Sequence, residues 1–222
     1  MTLPHPNVIM KVLVFDCETT GLPRSRDSKL TDTNDWPYIV QLSWIVYDLS
    51  KNKVEKVVDN IIKLPPGLGI CKESTTIHGI STKKMLSEGM DIVPILDDFI
   101  KDVRRCDIIV AHNIEFDKNV ITVEQIRNSV VDKDMFGNSD KEEYCTMLNG
   151  VDVCGLTYLN KYTGKQMKKF PKLIELHKHL FTTTPQGLHN SLIDILVCLR
   201  CFTMMYRNVD ILKTNAMMRT ML

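Results

Sequence analysis

The sequence predicts an α/β fold, a mixed five-stranded sheet whose first three strands run antiparallel, with helices on both faces. Three observations predict it. Three strand-type apolar runs come first, joined by one long loop and one tight turn. Segments of helical spacing then alternate with short apolar runs, the pattern of a sheet covered by helices. No internal repeat or low-complexity tract divides the 222 residues, a length that supplies a full core for one domain. We therefore expect a single domain over residues 1–222, with its core at about 10–208 and a loop insertion at 23–38.

Each element follows from local pattern. Lys11–Phe15 is a buried strand. Pro23–Pro37 is polar and has no hydrophobic period, so it is a long loop in the first hairpin; loops of that length are often functional or mobile. Ile39–Tyr47 (IVQLSWIVY) is the second strand, Leu49–Lys53 a turn, and Val54–Leu64 the third strand. After the break at Pro65-Pro66-Gly67, Thr75–Ile80 is a helical turn or loop, and Ser81 caps a helix over Thr82–Glu88. Ile92–Arg105 places Ile92, Ile95, Leu96, Phe99, Ile100 and Val103 at helical spacing. Asp107–Ala111 is a short buried strand, Glu115–Val130 a helix and Glu142–Met147 the fifth strand. Leu156–Tyr162 and Lys172–Phe181 read as helices, and the last long helix spans about Asn190–Tyr206.

Composition excludes several classes. A hydrophobic content of 44% and a charged content of 25% are globular values, and no apolar run is long enough to span a bilayer. Met1–Pro6 lacks the basic and apolar regions of a secretory signal. Seven cysteines show no paired metal spacing. Cys198 and Cys201 form a C-x-x-C, but inside an apolar helical stretch. The plain reading is reduced thiols in an intracellular protein of cytoplasm or nucleus. A net charge of +1 makes the whole chain no polyanion magnet. Lys161, Lys165, Lys168, Lys169 and Lys172 nevertheless cluster, either as a solvated face or as a phosphate-contact patch.

Asp16 and Glu18 end the first strand two residues apart, hence on one face of it. Two carboxylates held together repel, and a hard divalent cation is the usual compensation. Further along, His112-Asn113-Ile114-Glu115-Phe116-Asp117 opens a helix after a strand, and His189 stands five residues before Asp194 at the start of the last helix. Taken singly, each has a bland reading: strand-end acids, a first-turn acid favoured by the helix dipole, a histidine in a turn.

Together, FDCETTGL, HNIEFD and H-x-x-x-x-D resemble the three motifs of the DnaQ-like (DEDDh) 3′→5′ exonuclease family, and IHGIS at Ile77–Ser81 is similar to a loop between its first two motifs. The resemblance covers about Val12 to Phe202 and implies an RNase H-like fold. It implies two Mg²⁺ ions, with Mn²⁺ as a substitute, about 4 Å apart. Asp16 would bridge both, Glu18 and Asp194 would hold the ion that activates water, and Asp117 the other. His189 would be the general base, since imidazole titrates near neutrality. Cys17 stands where Thr, Leu or Ile is common in the family; on a strand its side chain faces away from the acids. Thr19, Thr20, Gly21 and Leu22 would meet the terminal nucleotide, with His78, Asn113 and Phe116 in the same pocket. The competing readings are a tight turn for Gly21, core roles for Leu22 and Phe116, a helix cap for Asn113 and a surface loop histidine for His78.

The function implied is hydrolysis of nucleic acid from its 3′ end to nucleoside 5′-monophosphates, with DNA favoured. Single-stranded or frayed 3′ ends are the expected partner, a DNA polymerase is a candidate one, and no dimer signature is present. The alternatives are an exoribonuclease, a catalytically silent nucleic-acid-binding domain of the same fold, and an RNase H-like endonuclease or integrase. The Pro23–Pro37 loop is a candidate for strand or partner contact against an ordinary surface loop.

Overall fold

A computed structural model of the chain describes residues 10–132, 134–137 and 141–222; the opening segment Met1–Pro6 lies outside them. The five-stranded sheet has the order β3-β2-β1-β4-β5, with β1 at Lys11–Thr19, β2 at Ile39–Asp48, β3 at Lys53–Ile61, β4 at Ile108–Ala111 and β5 at Glu142–Cys145. β1, β2 and β3 pair antiparallel, and β4 and β5 join parallel on the other side of β1. This is the predicted RNase H-like arrangement. It makes β1 the central strand, buried on both faces, which is why Lys11–Phe15 reads as an unbroken apolar run.

Alternation along β1 divides the core in two. Leu13, Phe15 and Cys17 face α3 (Ile92–Arg104) and α4 (Ile114–Arg127), where Leu96, Phe99, Val120 and Ile121 are fully buried. Val12 and Val14 face α7 (Ser191–Arg207) through Ile195, Leu199 and Phe202. Asp16 and Glu18 share the parity of Val12 and Val14, so β1 aims them at the α7 side. Before α3 lie α1 (Lys72–His78) and α2 (Thr82–Glu88), the latter capped by Ser81, which accepts from the Lys84 N–H. After α7, α8 (Ile211–Thr214) and α9 (Ala216–Met221) bury Ile211 and Met218 in the second core, so apolar packing continues past residue 208. Among the described residues no helix is long and apolar enough to cross a membrane.

Two segments depart from the sequence expectation. Leu156–Tyr162 is not helical: β6 (Thr157–Leu159) pairs antiparallel with β7 (Gln166–Lys168) in a separate hairpin. Asn160 sets the turn, its side-chain oxygen accepting from the Tyr162 and Thr163 N–H groups, and Gly164 supplies a left-handed φ of 65°. The strand expected over Glu142–Met147 stops at Cys145, and α5 (Thr146–Cys154) follows. A glycine inside that helix, Gly150, hides its period; it is there because a Cβ would come within 3.1 Å of Pro171 and of Leu176. Leu176 belongs to α6 (Leu173–Phe181), the helix predicted at Lys172–Phe181.

The Pro23–Pro37 loop is fastened to α4. Arg127 donates to the carbonyls of Thr33, Trp36 and Pro37 and stacks on the Tyr38 ring at 3.9 Å. Glu124 accepts from the Ile39 N–H at 3.2 Å and pairs with Arg127 at 2.8 Å. Trp36, buried, donates its indole N–H to the Lys29 carbonyl.

Candidate active site

Three elements converge at the C-terminal end of β1. The strand contributes Asp16 and Glu18, and the first turn of α7 contributes Asp194. Carboxylate oxygens of these three lie within 4.8 Å of one another. Asp117, in the first turn of α4 and buried, is held against the same strand end: its Oδ1 accepts the Cys17 N–H at 3.0 Å. Cys17 itself points into the opposite core, as strand alternation requires. β1 and β4 are parallel and their loops meet here, the usual place for a site beside parallel strands.

The docking of α7 is built from polar contacts on the same sheet face. Ser43 is the cross-strand partner of Asp16, and Gln41 that of Glu18. The Ser43 and Ser191 hydroxyls are hydrogen-bonded, and Gln41 Oε1 accepts the Ser191 N–H at 3.3 Å. Ser43 and Gln41 both donate to Asp59 Oδ1 at 2.7 Å. All three of Gln41, Ser43 and Ser191 are buried, so satisfying them fixes the first turn of α7, and with it Asp194.

Crowding of like charge dominates the electrostatics. Burial, then Asp117, Asp194 and Glu18, push the Asp16 carboxyl well above the ordinary range. Burial raises Asp117 to about 8 against the opposing hydrogen bond from Cys17. Burial and Asp194 raise Glu18 to about 7, and burial raises Asp194 to about 7 against the His189 N–H. No Lys or Arg stands among the leading causes of these shifts, and none of the four acids is in an ion pair among the described residues. Asp16, Glu18 and Asp194 offer only oxygen donors and could hold a hard divalent ion, with Asp117 outside this converging trio.

His189 sits on the exposed turn before α7 with φ 67°, and its N–H donates to Asp194 Oδ2 at 3.0 Å. The backbone is thus tied to the acidic cluster while the ring stands in solvent. Leu22 is 81% exposed beside the site. Asn113, exposed, starts α4 in a left-handed conformation (φ 70°) without capping it through its side chain. Phe116 packs partly against the first core.

His78 is neither in a loop nor at the surface. It ends α1, is 6% exposed, and accepts the Ile80 N–H at Nδ1. A neutral ring therefore carries its proton on Nε2, which is buried beside the Thr19 backbone but too loosely placed for a regular hydrogen bond. Burial holds its pKa below the usual histidine value. Thr20 is structural: its N–H donates to the Tyr38 carbonyl, and its carbonyl accepts from Ser74 Oγ, both at 2.9 Å. Thr19 Oγ1 donates to the Gly21 carbonyl.

His112, the first residue of HNIEFD, was assigned no role from sequence. Its Nδ1 meets Thr146 Oγ1 at 3.0 Å, its Nε2 meets the Pro171 carbonyl at 3.1 Å, and burial lowers its pKa to about 4. It is a neutral strut tying the motif to the chain beyond the β6–β7 hairpin.

Comparison with known proteins gives the family and the fold. A family model described as Exonuclease (RNase_T) matches residues 13–202. Among curated proteins none matches in sequence. Among solved structures, E. coli exonuclease I with a dT13 oligonucleotide superposes at TM-score 0.67 and 15% identity, over 96% of this chain and 46% of that one. The zinc-bound E. coli exonuclease I complex with single-stranded DNA gives 0.66 and 15%, over 90% and 41%. Exonuclease I of Methylocaldum szegediense gives 0.61 and 14%, over 93% and 43%. The chain spans less than half the length of these proteins, and likeness at this identity concerns the fold. The family match over nearly the whole folded region, on a sheet that gathers the predicted acids at one strand end, shows that the chain belongs to the DnaQ-like 3′→5′ exonuclease family.

Proposed function

We propose that the chain hydrolyses single-stranded DNA from its 3′ end, releasing nucleoside 5′-monophosphates, with two Mg²⁺ ions that Mn²⁺ can replace. The observation that carries this is the convergence of Asp16, Glu18 and Asp194 oxygens within 4.8 Å, with Asp117 bonded to the strand between the first two. Bound cations would neutralise the cluster and stabilise charge on the attacking and leaving oxygens. Glu18 and Asp194 would hold the ion that activates water, Asp117, braced by the Cys17 N–H, would hold the other, and Asp16 would serve both. His189 accepts the proton of the attacking water at an imidazole nitrogen. As the new water–phosphorus bond forms, the bond from phosphorus to the 3′ oxygen breaks. His189 fits this part because its ring is exposed while its backbone is fixed to Asp194. Leu22, Asn113, Phe116 and the buried Nε2 donor of His78 are placed to shape the terminal-nucleotide pocket, with the Thr19–Gly21 turn forming its wall.

DNA is favoured because the superposed exonuclease I structures hold single-stranded DNA. A DNA polymerase partner is supported by the sequence resemblance alone. The test uses matched DNA and RNA strands labelled at the 5′ end, with Mg²⁺, Mn²⁺ or EDTA. Loss of single nucleotides from the 3′ end of DNA, abolished by EDTA, is expected. RNA-only degradation would move the assignment to an exoribonuclease, internal cuts to an endonuclease, and retention without loss to a silent binding domain.

A further inference from the structure

The β6–β7 hairpin has a composition that folding does not use. Every residue of both strands is exposed, and the side chains that stand out are apolar: Tyr158 at 49%, Leu159 at 66%, Tyr162 at 99%, Met167 at 44% and Phe170 at 57%. None of them belongs to a core cluster. An isolated two-stranded hairpin is marginal in water, and apolar groups left outside on it mark a contact surface. Lysines interleave with these groups. Lys169 pairs with Glu175 and Lys168 with Asp152, the latter at an exposed site where such a pair is weak. Lys161 and Lys165, flanking Tyr162 at the turn, have no acidic partner among the described ion pairs.

The root of the hairpin is wired to the acidic site. Pro171, just past it, is bound through its carbonyl to His112; His112 bonds Thr146; and Thr146 contacts Cys198, which lies close enough to feel the Asp16 charge. From the Leu156–Lys169 pair at its base to the Asn160–Lys165 pair that closes its turn, the arm runs about 13 Å at roughly 3.3 Å per residue, with Tyr162 at the tip.

We propose that this hairpin is a binding arm for the single strand leading away from the scissile end, its aromatic rings stacking on bases and Lys161 and Lys165 meeting phosphates. Stacking platforms combined with lysines suit single-stranded nucleic acid without sequence preference, and the two lysines at the turn that have no acidic partner among the described ion pairs complement a phosphate backbone. The inference rests on the activity proposed above but is read by a different measurement.

Binding of a long and a very short oligothymidylate is measured in EDTA for the wild type, Tyr162→Ala, Tyr162→Phe, and Lys161→Ala with Lys165→Ala. Tyr162→Ala should weaken the long strand by roughly five- to a hundredfold, and Tyr162→Phe should bind like the wild type, since stacking needs the ring and not the hydroxyl. The lysine pair should flatten the salt slope by about 1.4, at roughly 0.7 per phosphate on a single strand. The short strand, and its rate of hydrolysis when Mg²⁺ is restored, should be unchanged in all variants. Unaltered affinity and slope for the long strand would overturn the arm, as would equal losses on both lengths. If the wild type binds as described but hydrolyses nothing, the arm stands and the assigned activity fails.

Discussion

At the residue scale, the informative contrast is between His189 and His78. His189 lies where its number in the sequence suggested, five before Asp194, on a left-handed turn that Asn tolerates better than most residues. His189→Asn therefore keeps the backbone and the N–H bond to Asp194 while removing the proposed base. Turnover should fall by about 10²- to 10⁴-fold, with Mn²⁺ affinity unchanged by titration calorimetry; a loss of metal binding would mean that the residue holds the cluster and not a proton. His78 was readable only as a member of IHGIS. Its burial comes from the packing of α1 under the Thr19–Thr20 segment, a contact between residues some fifty apart that no local pattern announces. The same holds for Thr20, whose two backbone partners come from distant Tyr38 and Ser74. Asp16 and Glu18 stand out as two carboxylates ending an apolar strand; Asp117 and Asp194 are singled out by the motif resemblance, with periodicity only placing them at helix starts.

At the element scale, legibility followed length and depth. α3, α4 and α7 run thirteen residues or more; in α3 that is enough turns for an apolar stripe to declare its period, whereas α4 buries Asp117, Glu124 and Gln125 beside Val120 and Ile121 and shows no clean stripe. The β6–β7 strands have three residues each and no buried face, so neither period can show, and Leu156, Leu159 and Tyr162 happen to fall at helical spacing. α5 was obscured by Gly150, a residue required by close approach to α6 and costly to a helix on its own. The loop between β1 and β2 was expected to be long, and it is, but its fastening depends on one buried ion pair. Arg127→Ala would leave the Glu124 carboxylate buried without its partner and free three loop carbonyls. We expect about 3–5 kcal/mol of destabilisation in urea unfolding, and a loss under 1 kcal/mol would show that the loop is held by Trp36 and Tyr38 alone.

For the molecule as a whole, the acidic cluster makes stability depend on pH and on cations together. Glu18 and Asp194 titrate at about 7 and Asp117 at about 8 in the fold, against about 4 in an unfolded chain. The folded state thus binds protons more tightly, so the stabilisation is complete below about pH 4 and is lost as pH rises through 7 to 8. In EDTA, the melting temperature should fall by several degrees between pH 6 and pH 8.5. Added Mg²⁺ or Mn²⁺ should restore it, more strongly at the higher pH, because cations and protons compete for the same oxygens. Asp16→Asn removes the central charge; it should melt higher than the wild type in EDTA at pH 8 and lose most of the response to metal. A wild-type melting temperature that is flat with pH would contradict the crowding on which the assignment depends.

The position of α7 has a consequence for synthesis. Its first turn docks through Ser191 onto Ser43 and Gln41, so Asp194 joins the cluster only after the elements that precede α7 have emerged from the ribosome. A nascent chain can complete its central strand early and still lack the cluster, since Asp16 and Glu18 wait for a third carboxylate some 180 residues later. On the proposed reading, the chain is inert toward nucleic acid until α7 has docked.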